Sequence, residues 1–440
     1  MRRLLTTCGL VAFLASGCGA SGLEPLRRLD SNPRYFTDGS GRAVYLTGFH
    51  TWSNLVDRGR AQPPRPFDYG AYLDQLERYG DNFIRLWAWE LPEYRANGQT
   101  WHSNPQPWLR TGPGKARDGV PRFDLTRLDK RYFDRLERRV KEANRRGVYV
   151  SVMLFEGWET HSAQLPLGWE AHPFADGNNV NEIAADEDGH GLGFFAGPDS
   201  RVLALQREYV RRVVEAVGSL PNVLFEISNE PDTSATQWQL GMIRFVRHEL
   251  AARGVSRPVG MTYERAGNNE QLYAGPADWV SPGGYVFSSD PPPADRRKVS
   301  LLDTDHLCGV CGDARFVWKA FTRGYNVIFM DDLSQGHEGA RVALGQARTV
   351  ADAVDLARLE PSTDGCSTRY CLVSDGSQSV VYQPGNGPFT LDLPSRRDRY
   401  RLDWLSTRTG ETAKRDIHTG GETKLSPPFS GPVVVRVSAD

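Results

Sequence analysis

The sequence predicts an α/β fold in which a (β/α)8 barrel is followed by a small all-β antiparallel sandwich. Eight short apolar runs alternate with amphipathic segments between residues 43 and 331, and most runs are apolar at consecutive positions. Parallel strands that are covered on both faces have this composition. After Pro361 the pattern changes to short alternating strands separated by Gly, Pro and Asn, which is typical of an antiparallel sandwich.

The eight predicted strands of this TIM barrel are rich in Val, Ile, Leu, Phe and Trp. They are AVYLTGF (43–49), NFIRLWAW (82–89), VYVSVMLF (148–155), NVLFEIS (222–228), PVGMTY (258–263), DWVSPGGY (278–285), KVSLLD (298–303) and NVIFMD (326–331). Most connecting segments repeat apolar residues every three and four positions, which predicts helices that pack one stripe on the sheet. The sixth connection, 286–297, lacks this pattern. A doubly wound open sheet is the alternative, but no Gly-rich phosphate-binding motif supports it.

The first residues have the pattern of an export signal. MRR is a short basic segment, LLTTCGLVAFLA is apolar, and small residues precede Cys18. This order is similar to a bacterial lipoprotein signal, so we expect residues 1–17 to be removed and Cys18 to be lipidated. Cleavage by an ordinary signal peptidase is the alternative. We expect an exported, membrane-anchored lipoprotein of the periplasm or cell surface, with a linker over 18–28, the barrel over 29–361 and the sandwich over 362–440.

Charge and cysteine content limit the expected partners. A net charge of −1 over 440 residues does not indicate nucleic acid or an anionic membrane surface, so the lipid anchor is the one membrane contact we expect. An exported protein keeps disulfides, and we expect two local ones, within the pairs Cys308/Cys311 and Cys366/Cys371. The CGVC stretch lacks the further ligands of a zinc site. We expect no metal, no cofactor and a monomer.

In a barrel of this type the functional side chains lie at the carboxyl ends of the strands. The predicted strand ends carry carboxylates, amides, histidines and aromatic rings. Those that we select as candidate site residues are His50, Trp52, Arg85, Trp87, Trp89, Trp158, Asn229, Glu230, Tyr285, Asp303, Asp305, His306 and Asp331. Sugars need this mixture, because rings stack on C–H faces and carboxylates accept hydrogen bonds from hydroxyls. No arrangement of Ser, His and Asp or of Cys and His stands out.

The stretch FEISNEP (225–231) resembles the acid/base motif of clan A glycoside hydrolases, of the family-5 cellulase type. The resemblance implies that Glu230 protonates the leaving oxygen and that Asn229 binds the sugar 2-hydroxyl. It also implies a second carboxylate at the end of the seventh strand, usually Glu, which a Tyr of the sixth strand contacts. Tyr285 fits that Tyr. The seventh strand offers Asp303 or Asp305 in place of Glu, and the choice between them stays open.

The whole chain is similar to a bacterial group of cellulase-like barrels, such as the apiosidase-like family, that often end in a sandwich named a collagen-binding domain. The similar stretches are DTDHL (303–307), FVWKAFTRGYNVIFMDD (316–332) and GPFTLDLP (387–394). The sandwich's name does not predict collagen binding. The resemblance implies two-carboxylate hydrolysis of a poly- or oligosaccharide, with retention expected. A carbohydrate-binding lipoprotein on a barrel that has lost catalysis is the alternative, because Asp replaces Glu.

Two further expectations concern the surroundings of the site. Glu226, four residues before Glu230, is expected to pair with a basic group such as Arg85. The connections 90–124 and 157–199 are longer than ordinary loops, and we expect them to wall the substrate cleft. A surface insertion without substrate contact is the alternative for 157–199. Its histidines and aspartates fit no metal-ligand signature.

Overall fold

Eight parallel strands form a nearly closed barrel in the computed structural model, which describes residues 22–96, 98–158, 168–185, 189–393, 399–418 and 420–439. The strands are β1 (Thr47–His50), β2 (Phe83–Leu86), β3 (Tyr149–Glu156), β4 (Val223–Asn229), β5 (Val259–Thr262), β6 (Trp279–Ser281), β7 (Val299–Asp303) and β8 (Asn326–Met330). Neighbours in sequence pair in parallel from β2 to β8, and β8 pairs with β1. All eight predicted strands and the barrel fold are confirmed.

The side chain of Asn82 joins β1 to β2. Its Oδ1 accepts from the backbone N–H of Thr47 at 3.0 Å, and its Nδ2 donates to the Tyr45 carbonyl at 3.0 Å. Gly48 allows the two strands to approach, because a Cβ at that position would lie 2.0 Å from the Phe83 carbonyl oxygen. Because all eight strands are parallel, their carboxyl ends lie at one side of the barrel.

Helices cover the outside of the barrel. They are α1 (Tyr69–Tyr79), α2 (Lys130–Arg145), α3 (Leu192–Phe195), α4 (Ser200–Val217), α5 (Thr236–Ala251), α6 (Asn269–Ala274), α7 (Tyr285–Ser289), α8 (Ala314–Thr322) and α9 (Glu338–Asp352). Four of them begin after an Asp whose carboxylate accepts from a first-turn N–H, which stabilises a helix start. These caps are Asp68, Asp129, Asp199 and Asp313. The sixth connection contains the short helix α7, where the sequence shows no helical pattern.

Antiparallel segments after β1 and β2 stand at the carboxyl side of the barrel. The strands Asp57–Gly59, Glu93–Ala96 and Gln99–Asn104 form a three-stranded sheet in which Gln99–Asn104 is central. Trp108–Lys115 pairs with Pro121–Leu128. At the other side, Arg27–Arg28 pairs with Phe36–Thr37. The three-stranded sheet is the part that reaches the site described below.

The C-terminal sandwich has two antiparallel sheets, as predicted. One contains Glu360–Ser362, Cys371–Val373, Gln378–Gln383, Val433–Ala439, Tyr400–Ser406 and Thr412–Ile417, and the other pairs Phe389–Leu393 with Gly421–Leu425. Tyr382 of the sandwich packs on Trp318 of α8 with 6.3 Å between ring centres. The two predicted disulfides, Cys308–Cys311 and Cys366–Cys371, are confirmed. Cys18 lies outside the described residues.

Within the described ranges, no helix has the length and apolarity that are needed to cross a bilayer.

Candidate active site

A cleft of about 430 Å³ opens at the carboxyl ends of the barrel strands. Six of its fourteen lining residues are aromatic, and two are acidic. The lining residues are Trp52, Arg58, Trp87, Trp89, Tyr94, Ala96, Trp101, Trp158, Asn229, Glu230, Asp305, Gly309, Val310 and Met330. Seven of the predicted site residues are therefore together in one cleft: Trp52, Trp87, Trp89, Trp158, Asn229, Glu230 and Asp305.

Glu230 follows β4 directly, and its backbone has a positive φ of 38°. This region is unfavourable for a residue with a side chain, and such strain is concentrated at functional sites. Burial and the negative charge of Asp305 raise the pKa of the Glu230 carboxyl well above its ordinary range. In the described part of the chain, no hydrogen bond or ion pair holds this carboxyl. Glu230 is therefore suited to carry a proton into the cleft.

Asp305 lies on the short turn Thr304–His306 that follows β7. Its Oδ2 accepts from Arg85 Nη1 at 2.7 Å, whereas no donor among the described residues contacts its Oδ1. Burial raises the pKa of this carboxyl, and the charge of Arg85 opposes that shift. Because Arg85 holds Asp305 and not Glu230, the two carboxyls that share the cleft differ in their tendency to ionise.

Asp303 lies behind the cleft at the end of β7. Its Oδ1 accepts from His50 Nε2 at 2.9 Å and from the Asp305 N–H at 3.0 Å, and Arg85 Nη1 lies 3.6 Å from its Oδ2. Burial alone would raise the pKa of Asp303, but His50 and Arg85 hold it well below the ordinary range. Trp87 Nε1 donates to His50 Nδ1 at 2.7 Å, which leaves the Nε2 proton for Asp303. This carboxylate is an anchor for the turn that carries Asp305.

Arg85 on β2 connects the carboxylates of the site. Its Nε donates to Glu226 Oε2 at 2.8 Å, and its Nη2 donates to Glu226 Oε1 and to Asn229 Oδ1, the latter at 2.7 Å. The predicted pair of Glu226 with Arg85 is thus present and buried. Since Nη1 binds Asp305, the guanidinium is surrounded by acceptors on all its edges.

Asn229 is held by three side chains. Its Oδ1 accepts from Arg85 and lies 3.1 Å from His306 Nε2, and its Nδ2 donates to Glu156 Oε1 at 2.9 Å. His306 Nδ1 lies 2.7 Å from the Ser281 hydroxyl, and burial lowers the pKa of this histidine to about 3. A neutral imidazole therefore orients the amide that lies next to Glu230.

Two buried acids behind this amide were not among the candidate residues. Glu156 Oε1 also accepts from the Trp158 N–H at 3.0 Å, and burial raises the pKa of Glu156 well above its ordinary range. Glu90 Oε2 accepts from the Glu156 N–H at 2.9 Å, and burial raises its pKa to about 8. Their position at the ends of β3 and of the segment after β2 is the signal that could have identified them.

The structure corrects several predicted positions. Tyr285 begins α7 with 84% of its surface exposed, because β6 already ends at Ser281, so it is not at a strand end against a carboxylate. Asp331 is buried in a two-bond ion pair with Arg341, at 2.7 Å for each oxygen, so its oxygens are not available to a substrate. His50, Arg85 and His306 are buried behind the cleft and position its acidic residues instead of lining it.

Each of the two long connections contributes described residues to the cleft. Trp101 and Trp158 line it, but Trp108 and Trp169 are buried. Trp169 stacks on His172 with 4.2 Å between ring centres. Among the histidines and aspartates of 157–199, His161, Asp186 and Asp188 lie outside the described residues.

One group could be considered for a metal ion. Donor atoms of Asp303, Asp305 and His306 lie within 4.8 Å of one another. Arg85 Nη1, however, is 2.7 Å from the Asp305 carboxylate and 3.6 Å from that of Asp303. Since a guanidinium already faces both carboxylates, this group does not suit a cation.

Comparisons with known proteins agree with this architecture. A crystal structure of a provisional glycoside hydrolase from Bacteroides vulgatus is similar at TM-score 0.65 and 14% identity, over 95% of this chain and 83% of that one. A family 5 glycoside hydrolase from the same organism gives TM-score 0.60 and 11% identity, over 94% and 93%. A third structure, named glycoside hydrolase, gives TM-score 0.57 and 12% identity, over 94% and 97%. No family model matches the sequence, and no curated protein matches it.

These likenesses show the fold. The chain has the barrel-and-sandwich architecture of solved glycoside hydrolase structures, including one of family 5, along nearly its whole length. A fold alone does not define an activity, which depends on the side chains of the site.

Proposed function

We propose that the protein is a glycoside hydrolase that cleaves O-glycosidic bonds of a poly- or oligosaccharide. The observation that carries the proposal is that Glu230 and Asp305 line one cleft together with five tryptophans and a tyrosine. Two carboxyls and stacking rings are what glycoside hydrolysis requires of a protein. The likeness to glycoside hydrolase structures supports the same activity.

In this proposal Glu230 is the general acid and Asp305 is the second carboxylate. The raised pKa of Glu230 supports its role as proton donor to the leaving oxygen. Asp305 is chosen over Asp303 because Asp305 lines the cleft, whereas the carboxylate of Asp303 binds His50 and the turn. In the same proposal Asn229, which lines the cleft next to Glu230, binds a sugar hydroxyl.

We propose a retaining mechanism in which Asp305 attacks the anomeric carbon while the bond to the leaving oxygen breaks and Glu230 protonates that oxygen. Water, deprotonated by Glu230, then cleaves the bond between the sugar and Asp305. The resemblance of the FEISNEP stretch to family-5 enzymes supports this choice. Proton NMR of the first product decides it, because a retaining enzyme releases the anomer of the substrate. Release of the opposite anomer would contradict retention and leave hydrolysis itself in place.

The proposed activity is tested on a panel of polysaccharides and oligosaccharides with product analysis. Glu230→Gln should lower the rate on any cleaved glycan by about 10²–10⁴-fold. Glu264→Gln is the matched control. Glu264 lies just after β5, outside the cleft, and its oxygens accept from Gln239 and Thr236, contacts that Gln can partly keep. Equal rates for the two variants would refute the role of Glu230.

A carbohydrate-binding protein without activity is the second candidate. The observation that favours it is that Asp303, the last residue of β7, is fully occupied by His50, Arg85 and a backbone N–H. The panel separates the two functions. A pure binding protein retains glycans in both the parent chain and Glu230→Gln and releases no product from either.

We further propose that the protein is exported and anchored through a lipid on Cys18. The basic and apolar N-terminal segments support this, and two disulfides fit an oxidising compartment. Membrane fractionation of cells that express the chain or Cys18→Ser tests the anchor. The anchored protein moves from the membrane to the soluble fraction in the variant, and an unchanged distribution contradicts the proposal.

A further inference from the structure

Arg58 places a positive charge in the wall of the cleft. It belongs to the strand Asp57–Gly59 and lines the same space as Glu230 and Asp305. Its guanidinium carbon lies 4.4 Å from the ring centre of Trp101, 5.0 Å from that of Trp52, 5.3 Å from that of Tyr94 and 5.6 Å from that of Trp89. Four aromatic rings therefore fix the position of one guanidinium.

The charge of Arg58 is not balanced by an acidic side chain. Its Nε donates to the Tyr94 hydroxyl, and no carboxylate of the described residues lies within ion-pair distance. No acceptor among the described residues contacts the two Nη atoms of Arg58. Their four N–H groups are therefore left for a ligand. The neighbouring Asp57 does not serve this role, because its carboxylate binds Arg135 at 2.8 Å.

The other charges of the cleft do not oppose an anionic ligand strongly. Glu230 is the proposed proton donor and is neutral when it carries its proton. The Asp305 carboxylate is paired with Arg85 at 2.7 Å. Arg58 is then the one charge in the described lining of the cleft without an opposite partner.

From this arrangement we infer that the substrate is an acidic glycan and that Arg58 binds its anionic group. The inference deepens the proposed function and rests on it. A guanidinium presents parallel N–H groups that match a carboxylate or a sulfate in two-bond geometry. The planar carboxylate of a uronic acid is the expected group, and a sulfate ester offers the same chemistry. Trp52, Trp101 and Trp158 are the partly exposed rings of the same lining, and they can contact the sugar that carries this group.

The test measures binding of matched oligosaccharides by calorimetry in the Glu230→Gln background, where cleavage does not interfere. The probes are oligosaccharides of galacturonate, glucuronoxylan and alginate, each beside its carboxyl-reduced neutral form, and sulfated galactans beside their desulfated forms. Binding of the acidic member should be about 10- to 100-fold tighter than that of its neutral form. Added Arg58→Gln should reduce this ratio to near one.

Two further variants separate recognition from packing. Arg58→Lys keeps the charge but not the two-bond geometry and should retain a reduced preference for the acidic form. Arg60→Gln is the matched control, since Arg60 also faces the Trp101 ring at 5.6 Å but is exposed and does not line the cleft. It should leave the preference unchanged.

Each outcome bears on the inference. A preference confined to sulfated galactans supports anion recognition with sulfate as the group. A ratio near one in the parent, or a ratio that Arg58→Gln does not change, overturns the inference. If a neutral glycan is still hydrolysed and Glu230→Gln stops this hydrolysis, the proposed function stands without the inference about Arg58. If no glycan of the panel is bound or cleaved, the inference and the proposed function both fall.

Discussion

Asp303→Asn and Asp305→Asn should have opposite effects. Asp305→Asn should lose activity and keep stability, whereas Asp303→Asn should lose stability and keep most of its activity. Asp305→Asn removes the carboxylate that lines the cleft and should lower kcat by about 10²–10⁴-fold. Asp303→Asn keeps an oxygen that can accept from His50 and from the turn, as Asp303 Oδ1 does at 2.9 and 3.0 Å. Its loss of activity should stay below roughly 100-fold, because it only disturbs positioning.

The stability changes follow from the charges around each carboxylate. The attraction between Asp303 and Arg85 at 3.6 Å is about 5 kcal/mol at an effective dielectric constant near 20. Desolvation offsets most of it, and charged hydrogen bonds contribute about 1.5–3 kcal/mol net. Asp303→Asn should therefore lower the free energy of unfolding at pH 7 by that amount. Asp305 has a raised pKa, so its ionised form destabilises the fold, and Asp305→Asn should leave stability unchanged or increase it.

The pH dependence has a definite sign for Asp303. A carboxyl whose pKa is depressed in the folded state stabilises the fold above its unfolded pKa of about 3.9 and loses that contribution as pH falls. The difference between the parent and Asp303→Asn should thus be full at pH 7 and shrink below about pH 4. Urea unfolding of both proteins at pH 7 and below about pH 4 measures this difference in the free energy of unfolding.

Initial rates on the best glycan of the panel measure the activity of both variants.

The reverse order of activities would contradict the assignment of Asp305. If Asp303→Asn is the less active variant by at least about tenfold, Asp303 is the second carboxylate and the cleft opens further than the structure shows. Azide offers an independent check, because in a retaining enzyme it replaces a missing nucleophile. Azide should restore turnover to Asp305→Gly and not to Asp303→Gly.

Two other expectations concern the acid and the wall of the cleft. Because the charge of Asp305 raises the pKa of Glu230, NMR titration of the Glu230 carboxyl should show a lower pKa in Asp305→Asn than in the parent; an equal pKa in both would contradict the coupling. Gly309 and Val310 line the cleft within the loop that Cys308–Cys311 closes, so replacing both cysteines by Ala should lower kcat/KM several-fold, whereas removing the sandwich disulfide should affect thermal stability alone.

The barrel could be predicted because each strand carries its own signal. A run such as VYVSVMLF is apolar on both faces, and only a doubly covered parallel strand suits it. The position of Glu230 followed from the same reasoning, since the fourth strand ends directly before it. The prediction for Tyr285 was wrong because the end of the sixth strand has no clear signal in the sequence. The sequence DWVSPGGY does not show that the strand stops at Ser281 and that the glycines after it lead the chain into a helix.

The choice between Asp303 and Asp305 could not be made from the sequence. Both follow β7 within two residues, and their roles depend on a turn in which the Asp303 carboxylate accepts from the Asp305 N–H. Arg58 was missed for a related reason. It reaches the cleft because Asp57–Gly59 pairs with Gln99–Asn104, and such antiparallel pairing between distant segments has no local signal in either one.

Arg85 joins the charged groups of the site into one electrostatic network. Its guanidinium binds Glu226, Asn229 and Asp305 at once and lies 3.6 Å from Asp303. A positive charge fixed among these groups lowers the pKa of Asp305 relative to that of Glu230, which has no such partner among the described residues. Burial raises the pKa of both carboxyls, and the direct contact of Arg85 with Asp305 increases the difference between them. That contact depends on β2 and β7 ending at the same side of the barrel, so the fold itself determines the proposed chemistry.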